Sequence, residues 1–402
     1  MVCGVKMNVL NIGIAGPITI GAYQKYLYQS TNINHTQPIG LGGTGVNNLV
    51  LELLRRGRRV TIFTLDRSVE SEVILQGERL KICIGPYRSR HRARDLFAVE
   101  RAYIQKAIER EMVDIVHAHW TYEFALGALQ SKVPTLVTAR DAPLNILQLD
   151  PTPYRAMRTL MAFQVARQAK YLTCVSSYVA DHFTRWMRYR GFIATVPNCL
   201  SPEAMQVRIP RIEKSGEILT FACANQGWGR RKNVIVALHA FNEVRRTVPK
   251  SRLMLFGEDY GPGEIAIKVA KSEGLTENVM FIGHLPYSEL QAQLASDVDV
   301  FVHPSLEESF GLVLMEAMAL SIPVIAGERS RGTRFVLDEG KAVILACVRS
   351  HHDLAGAMLR CADIKVRRHY GEIGFHSVNE RFCPKSIADT YEAIYQKVIG
   401  QA

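Results

Sequence analysis

The chain of 402 residues is 48% hydrophobic and 22% charged. That balance excludes a disordered chain and, at this length, a single small core, so two or three domains are expected. A net charge of +11 fits nucleic acid, an anionic lipid surface, phosphorylated small molecules or simply a solvated basic face, and does not choose among them. The eight cysteines are scattered without a C-x-x-C pair, and runs such as Leu172-Thr173-Cys174-Val175 read as buried free thiols of a reducing cytosol rather than zinc ligands.

No cleavable signal pattern precedes the strand-like run that starts at Asn8, and no window holds the ~20 uninterrupted apolar residues of a bilayer span. The expectation is a cytoplasmic protein, at most peripheral on the inner face of the membrane. Apolar runs at 9–15, 59–64, 114–117, 135–138, 171–175 and 192–196 read as strands, with helices at 46–56, 96–110, 124–131 and about 153–170. The polar, Pro-broken stretch 207–216 reads as a linker. The pattern then restarts, with strands at 218–224, 252–256, 279–282, 298–302 and 323–326. Helices follow at 233–247, 264–273 and 288–295, with an amphipathic one at 386–399. Such alternation means parallel sheets with right-handed crossovers, hence an α/β chain of two doubly wound domains. Ligands of such domains sit at the carboxyl ends of the strands, here expected in a cleft between the two.

In the first half, Gly40-Leu41-Gly42-Gly43-Thr44-Gly45 leads into a helix. Glycines there let backbone amides approach a phosphate. A dinucleotide fingerprint needs its glycines directly after the first strand. More than twenty residues intervene here, so a backbone lip over a phosphate, or plain loop geometry, fits better. His117-Ala118-His119 ends a strand with both imidazoles on one face. A metal pair lacks an evident third ligand; a hydrogen-bonding or acid–base group and a satisfied structural histidine both remain open. The basic runs 87–94 and 154–170 read as solvated faces in preference to lipid-docking surfaces.

In the second half, Gln226 to Asn233 joins a strand to a helix and carries Arg230, Arg231 and Lys232. Cations at a helix start oppose the helix dipole, a repulsion that a bound diphosphate would offset. Asp297-Val298-Asp299 matches a D-x-D metal pattern but reads as a strand edge, and no metal follows from it. The most informative segment is 303–327, HPSLEESFGLVLMEAMALSIPVIAG. It runs from a strand end through Glu307-Glu308-Ser309-Phe310-Gly311 into a helix bearing Glu316. Free amides and the positive helix end make an anion site, while carboxylates accept strongly from sugar hydroxyls. Phosphate and hydroxyls bound together suggest a nucleotide sugar.

These segments, in this order, resemble family 4 retaining glycosyltransferases of GT-B architecture, in which two doubly wound Rossmann-like domains face each other across a cleft. The likeness runs from Val9 to the last helix and is carried by Glu308-x7-Glu316, with Gly42-Gly43, His117-Ala118-His119 and Arg231-Lys232 as supports. It implies domains at 1–206 (acceptor side) and 207–380 (nucleotide-sugar side), with 381–402 a helix packing back on the first. It implies that Glu308 contacts the donor sugar hydroxyls and Glu316 the ribose hydroxyls. Lys232, Arg231 and the amides around Ser309, Phe310 and Gly311 would hold the diphosphate, and His119 would line the acceptor side. The sequence departs from the pattern at Gln226, where an Arg is common and Arg230 or Arg231 would have to substitute. It departs again at Ser321-Ile322, Arg331 and Lys341, and at Arg140, which stands where His is frequent.

The function expected is therefore a metal-independent transferase with no cofactor beyond its nucleotide-diphosphate-sugar donor. Its acceptor is a glycan or lipid-linked hydroxyl in bacterial polysaccharide or glycolipid synthesis, with peripheral contact to anionic membrane and no nucleic acid. Domain closure would exclude water from the reaction. The rival readings are a donor-impaired, non-catalytic scaffold of the same fold and a nucleotide-sugar epimerase.

Overall fold

Strands buried on both faces read as continuous apolar runs, and where helices alternate with them the strands assemble in parallel. The computed structural model describes residues 10–28, 38–201 and 218–401 and shows this arrangement twice. The chain divides into a first unit, Met1–Pro202 with Pro384–Ala402, and a second, Glu203–Cys383. The expected linker 207–216 lies outside the described residues.

The sheet of the first unit contains β1 (Asn11–Ala15), β2 (Arg59–Asp66), β3 (Val73–Gln76), β4 (Leu80–Pro86), β5 (Ile115–His119), β6 (Thr135–Ala139), β7 (Tyr171–Cys174) and β8 (Phe192–Thr195). Their order is β3-β4-β2-β1-β5-β6-β7-β8, parallel except for the antiparallel β3–β4 pair. The helices are α1 (Thr44–Arg55), α2 (Ala98–Glu111), α3 (Glu123–Gln130), α4 (Pro143–Leu149), α5 (Pro153–Gln168), α6 (Ser177–Arg185) and, from the far end of the chain, α14 (Pro384–Gly400). One core joins Ile12 and Ile14 of β1, Val46, Leu49 and Val50 of α1, and Ile387, Tyr391, Tyr395 and Val398 of α14. Arg58 clamps Glu392 with two bonds of 2.9 Å, and Arg56 reaches Asp389 at 2.7 Å.

The second unit holds β9 (Leu219–Ala224), β10 (Ser251–Phe256), β11 (Val279–Gly283), β12 (Val300–His303), β13 (Val324–Gly327) and β14 (Ile344–Ala346), all parallel, in the order β11-β10-β9-β12-β13-β14. Its helices are α7 (Val234–Thr247), α8 (Ile265–Ser272), α9 (Tyr287–Asp297), α10 (Leu312–Ala319), α11 (Gly332–Val336), α12 (His351–Arg360) and α13 (Ile364–Arg381). Strand order reverses between β9 and β12, as it does between β1 and β5 in the first unit. The crevice outside such a switch point is where doubly wound sheets bind ligands.

Several elements lie beyond the sequence expectation. The β3–β4 hairpin falls in a charge-rich stretch, and β3 has only four residues with alternating exposure. Helices α4, α6, α11, α12 and α13 and strand β14 are short or weakly patterned. The strand expected at 298–302 begins at Val300, since Val298 is the C-cap of α9 and Asp299 meets Thr220 through both its N–H, at 2.8 Å, and its carboxylate, at 2.9 Å.

Candidate functional site

At the switch point of the second unit, the loop after β9 (225–233) and the loop after β12 (304–311) are stitched together by the backbone. Leu306 N donates to Arg231 O at 2.8 Å. Asn233, at φ 56 before α7, donates its side-chain amide to Pro304 O and Val348 O at 3.1 and 2.7 Å. This brings Lys232 Nζ to 2.5 Å from Glu308 Oε1 and Arg231 Nη1 to 3.4 Å from Oε2 of the fully buried Glu307. His303 Nε2 lies 3.3 Å from the same Glu308 oxygen without hydrogen-bonding alignment. Burial pushes the Glu308 carboxyl up, but Lys232 first, then His303 and Arg231, outweigh it and hold the group ionised well below its ordinary range. Gln226 and Arg230 are exposed in the same loop.

Gly311 caps α10 at φ 90. The Phe310 ring is buried against Phe382, at 5.5 Å between centroids, and against Phe335, so it anchors the turn. Glu316 projects from α10, accepts from Gln291 at 3.3 Å, and has its carboxyl raised to about 7 by desolvation against the opposing bonds from Tyr287 and Gln291. Gly332, which lies outside the sequence motifs, also belongs to this turn. Its N–H donates to Glu308 O at 3.0 Å, and a Cβ there would stand 2.4 Å from both Glu308 O and Ser309 O. The signal was a glycine between a strand and a helix, the same arrangement that drew notice at Gly311. Glu307 and Asn233 act through partners distant in sequence, Arg231 for the first and Pro304 and Val348 for the second, whereas His303 neighbours Glu308 in the same segment.

Gly42, Gly43 and His119 belong to the first unit. Gly43 caps α1 at φ 114, and a Cβ there would lie 2.3 Å from Pro17 O. Gly42 is also left-handed, at φ 80. Asp66, the acidic residue at the end of β2, accepts from Gly40 N at 2.5 Å and from Ser68. It holds the glycine loop and is not poised for a ribose, which disposes of the dinucleotide reading. The two histidines separate in role. His117 bonds Tyr395 Oη at 2.8 Å and Thr138 Oγ1 at 2.5 Å, so neither nitrogen is left for a metal and it is structural. The His119 ring lies tilted against it, 4.0 Å between centroids, and its Nδ1 accepts from Arg140 Nη2 at 3.1 Å. His119 is fully buried, and burial, His117 and Arg140 hold its pKa far below the ordinary value, keeping it neutral.

Other sequence candidates are structural. Arg88 pairs with Glu100 and Asp95, and Arg92 stacks on Tyr87 at 4.6 Å. Arg158, expected on a solvated face, is instead buried, 2.8 Å from Glu123 and 3.5 Å from the Tyr122 ring centroid. A solvated face would leave the interior Glu123 unpaired, which explains the inward turn. Away from the loop residues above, ligating atoms of Glu243, His351 and His352 lie within 4.8 Å of one another, spacing that could hold a metal ion. Glu243 already accepts from both histidines. The seven described cysteines are free thiols. No helix among the described residues is long and apolar enough to cross a membrane.

Two family profiles cover most of the chain: Glycosyltransferase Family 4 over residues 42–204 and Glycosyl transferases group 1 over residues 226–374. The chain belongs to the family 4 glycosyltransferases. Relatives of this glycosyltransferase include N-acetyl-alpha-D-glucosaminyl L-malate synthase of Bacillus anthracis, 25% identical over 72% of this chain and 76% of that protein. Another is D-inositol 3-phosphate glycosyltransferase of Corynebacterium glutamicum, 26% identical over 82% and 87%. Sucrose-phosphate synthase from Thermosynechococcus elongatus shares the fold over 98% of this chain and all of that one, at TM-score 0.76 and 19% identity. The fold is of the GT-B class, and the enzyme transfers sugar from a nucleotide-sugar donor to an acceptor. These relatives do not favour the scaffold or epimerase readings.

Proposed function

We propose that the enzyme is a retaining, metal-independent hexosyltransferase whose donor site is the Lys232–Glu308 turn. The observation that carries this is the 2.5 Å ion pair at the β9–β12 switch point, where an ionised carboxylate that accepts sugar hydroxyls lies beside a cation for phosphate. In this reading Glu308 binds the donor sugar, Glu316 the ribose hydroxyls, and Lys232, Arg231, Arg230 and Gln226 the diphosphate side. The amides of Ser309, Phe310 and Gly311 complete the phosphate grip, and Gly42 and Gly43 supply a further backbone lip. The bond from the anomeric carbon to the phosphate oxygen breaks while the bond to the acceptor oxygen forms, and the departing phosphate takes the acceptor's proton. Lys232 and helix-end amides stabilise charge developing on that oxygen, an electrostatic contribution needing no protein nucleophile. His119 serves the acceptor side. The proposed acceptor is a glycan or lipid-linked hydroxyl in bacterial polysaccharide or glycolipid synthesis. The net charge of +11 supports peripheral contact with an anionic membrane.

A thermal-shift screen against UDP-, GDP- and ADP-sugars identifies the donor, because a ligand at about 100 times its Kd stabilises by about 2.7 kcal/mol. Transfer by Glu308→Ala and Glu316→Ala with that donor then tests the roles. Full activity in both variants overturns the assignment, and the anomeric configuration of the product by NMR decides retention.

A further inference from the structure

In the first unit Arg140 has no carboxylate counter-ion among the described residues. Arg140 follows β6 and is half-buried with its Nε enclosed and without an acceptor. Its hydrogen-bond partners are neutral: Nη1 donates to Asn198 Oδ1 at 2.5 Å and Nη2 to His119 Nδ1 at 3.1 Å. Among the described residues no carboxylate pairs with it, although most of the other half-buried or buried arginines here, such as Arg88 and Arg158, have one. A guanidinium only donates, so His119 Nδ1 accepts. Neutral His119 then carries its proton on Nε2, which is a second enclosed donor without an acceptor.

The same guanidinium sits against a helix start. A Cβ on Gly45, in the first turn of the twelve-residue α1, would be 2.8 Å from Arg140 Nη1 and 2.5 Å from Asn198 Oδ1. No side chain caps α1, and the first amides of a helix have no intrahelical acceptor. The helix dipole there repels a cation and attracts an anion. The guanidinium therefore meets the first turn of α1 with only the neutral oxygen of Asn198 between them and no anion among the described residues. Burying an unpaired charge beside a positive helix end is unfavourable unless something anionic completes it.

We propose that the acceptor substrate carries an anionic group, a phosphate or carboxylate, that docks on Arg140 at the first turn of α1. The planar fork of the guanidinium suits either group bidentately. The proposal rests on the glycosyltransferase reading and names its acceptor class: a hydroxyl compound with a negative charge fixed near the reacting oxygen.

The test uses the full chain with its matched nucleoside diphosphate saturating, so that donor phosphate sites are filled. Inorganic phosphate is titrated calorimetrically into wild type, Arg140→Met and Arg140→Lys. Saturable binding is expected in wild type, at least about tenfold weaker in Arg140→Met and partly recovered in Arg140→Lys, as befits loss of one charged hydrogen-bonded partner. Paired acceptors then separate the sources: glucose 6-phosphate against glucose, and glycerate against glycerol. At least one anionic member should be preferred by a factor on the order of 30 in kcat/KM, and Arg140→Met should erase that preference through acceptor KM. Equal phosphate binding by wild type and Arg140→Met, equal use of neutral and anionic acceptors, or an effect confined to nucleoside-diphosphate affinity each overturns the proposal. If Arg140→Met does not fold, Arg140→Lys decides by its acceptor KM against wild type. Failure of every nucleoside diphosphate to bind wild type would instead refute the donor-site reading, a different readout.

Discussion

Replacing Glu308 by Gln should tighten product binding while it slows transfer. Lys232 Nζ is 2.5 Å from Glu308 Oε1, and the carboxylate is held ionised by that cation with His303 and Arg231. A phosphate arriving on Lys232 must displace this carboxylate and then sit close to it. At roughly 6 Å and an effective dielectric near 20, the repulsion is roughly 3 kcal/mol per unit charge. Solvent in an open site cuts this to about 1–2 kcal/mol. Glu308→Gln removes the repulsion and keeps side-chain volume and an acceptor oxygen. The nucleoside diphosphate should therefore bind about 5- to 30-fold more tightly. Gln accepts sugar hydroxyls less strongly and does not stabilise positive charge at the reacting carbon, so kcat should fall about 10²- to 10³-fold. Calorimetry with the nucleoside diphosphate and transfer from radiolabelled donor measure the two effects. Weaker nucleotide binding, or undiminished kcat, refutes the competition between carboxylate and phosphate for Lys232.

The remaining expectations follow from single contacts. Desolvation places the free Glu316 carboxyl at about 7, and ribose hydroxyls favour its ionised form, so binding releases a proton below that value. Nucleotide affinity should rise from pH 6 to 8 by calorimetry, and Glu316→Gln should flatten the rise. Because the folded pKa lies above the unfolded one, the native state holds more protons between the ordinary carboxyl value of 4.5 and about 7, and this group lowers stability as pH climbs through that range. Tyr395→Phe leaves the buried His117 Nδ1 without its 2.8 Å partner and should cost about 1–3 kcal/mol in urea unfolding of the first unit's transition; an unchanged midpoint would contradict the structural role of His117. Arg158→Met strands the buried Glu123 and should destabilise by about 3–5 kcal/mol, whereas Arg155→Met, an exposed pair at 3.3 Å with Asp150, should stay within about 1 kcal/mol; similar losses in the two variants would place Arg158 on the surface.

Much of the fold is legible from apolar periodicity because parallel strands must be buried on both faces and their crossover helices on one. The hairpin β3–β4 escaped because an edge pair need be apolar on one face only, and its alternation over four residues is diluted by neighbouring charge. In the donor turn, Glu308, Phe310, Gly311 and Lys232 could be named from local chemistry, since helix-end amides and cations at a helix start carry their meaning within a few residues. Gly332 shares the local strand–glycine–helix signature of Gly311, but what forbids a Cβ there is the carbonyls of Glu308 and Ser309, more than twenty positions away.

The amino-acid sequence by itself determined two doubly wound units and the identity of the loops that end their strands, because both depend on short-range pattern. Tertiary structure alone decided what the side chains in those loops do. Lys232 and Glu308 are 76 residues apart in the chain yet 2.5 Å apart in space. His117 and His119 look equivalent in a strand-end H-x-H, but Tyr395, 278 residues downstream, claims the first. The second meets Arg140, whose lack of a carboxylate partner is a property of its whole surroundings. Charge pairing and burial are sums over neighbours in space, and only the folded chain determines which neighbours those are.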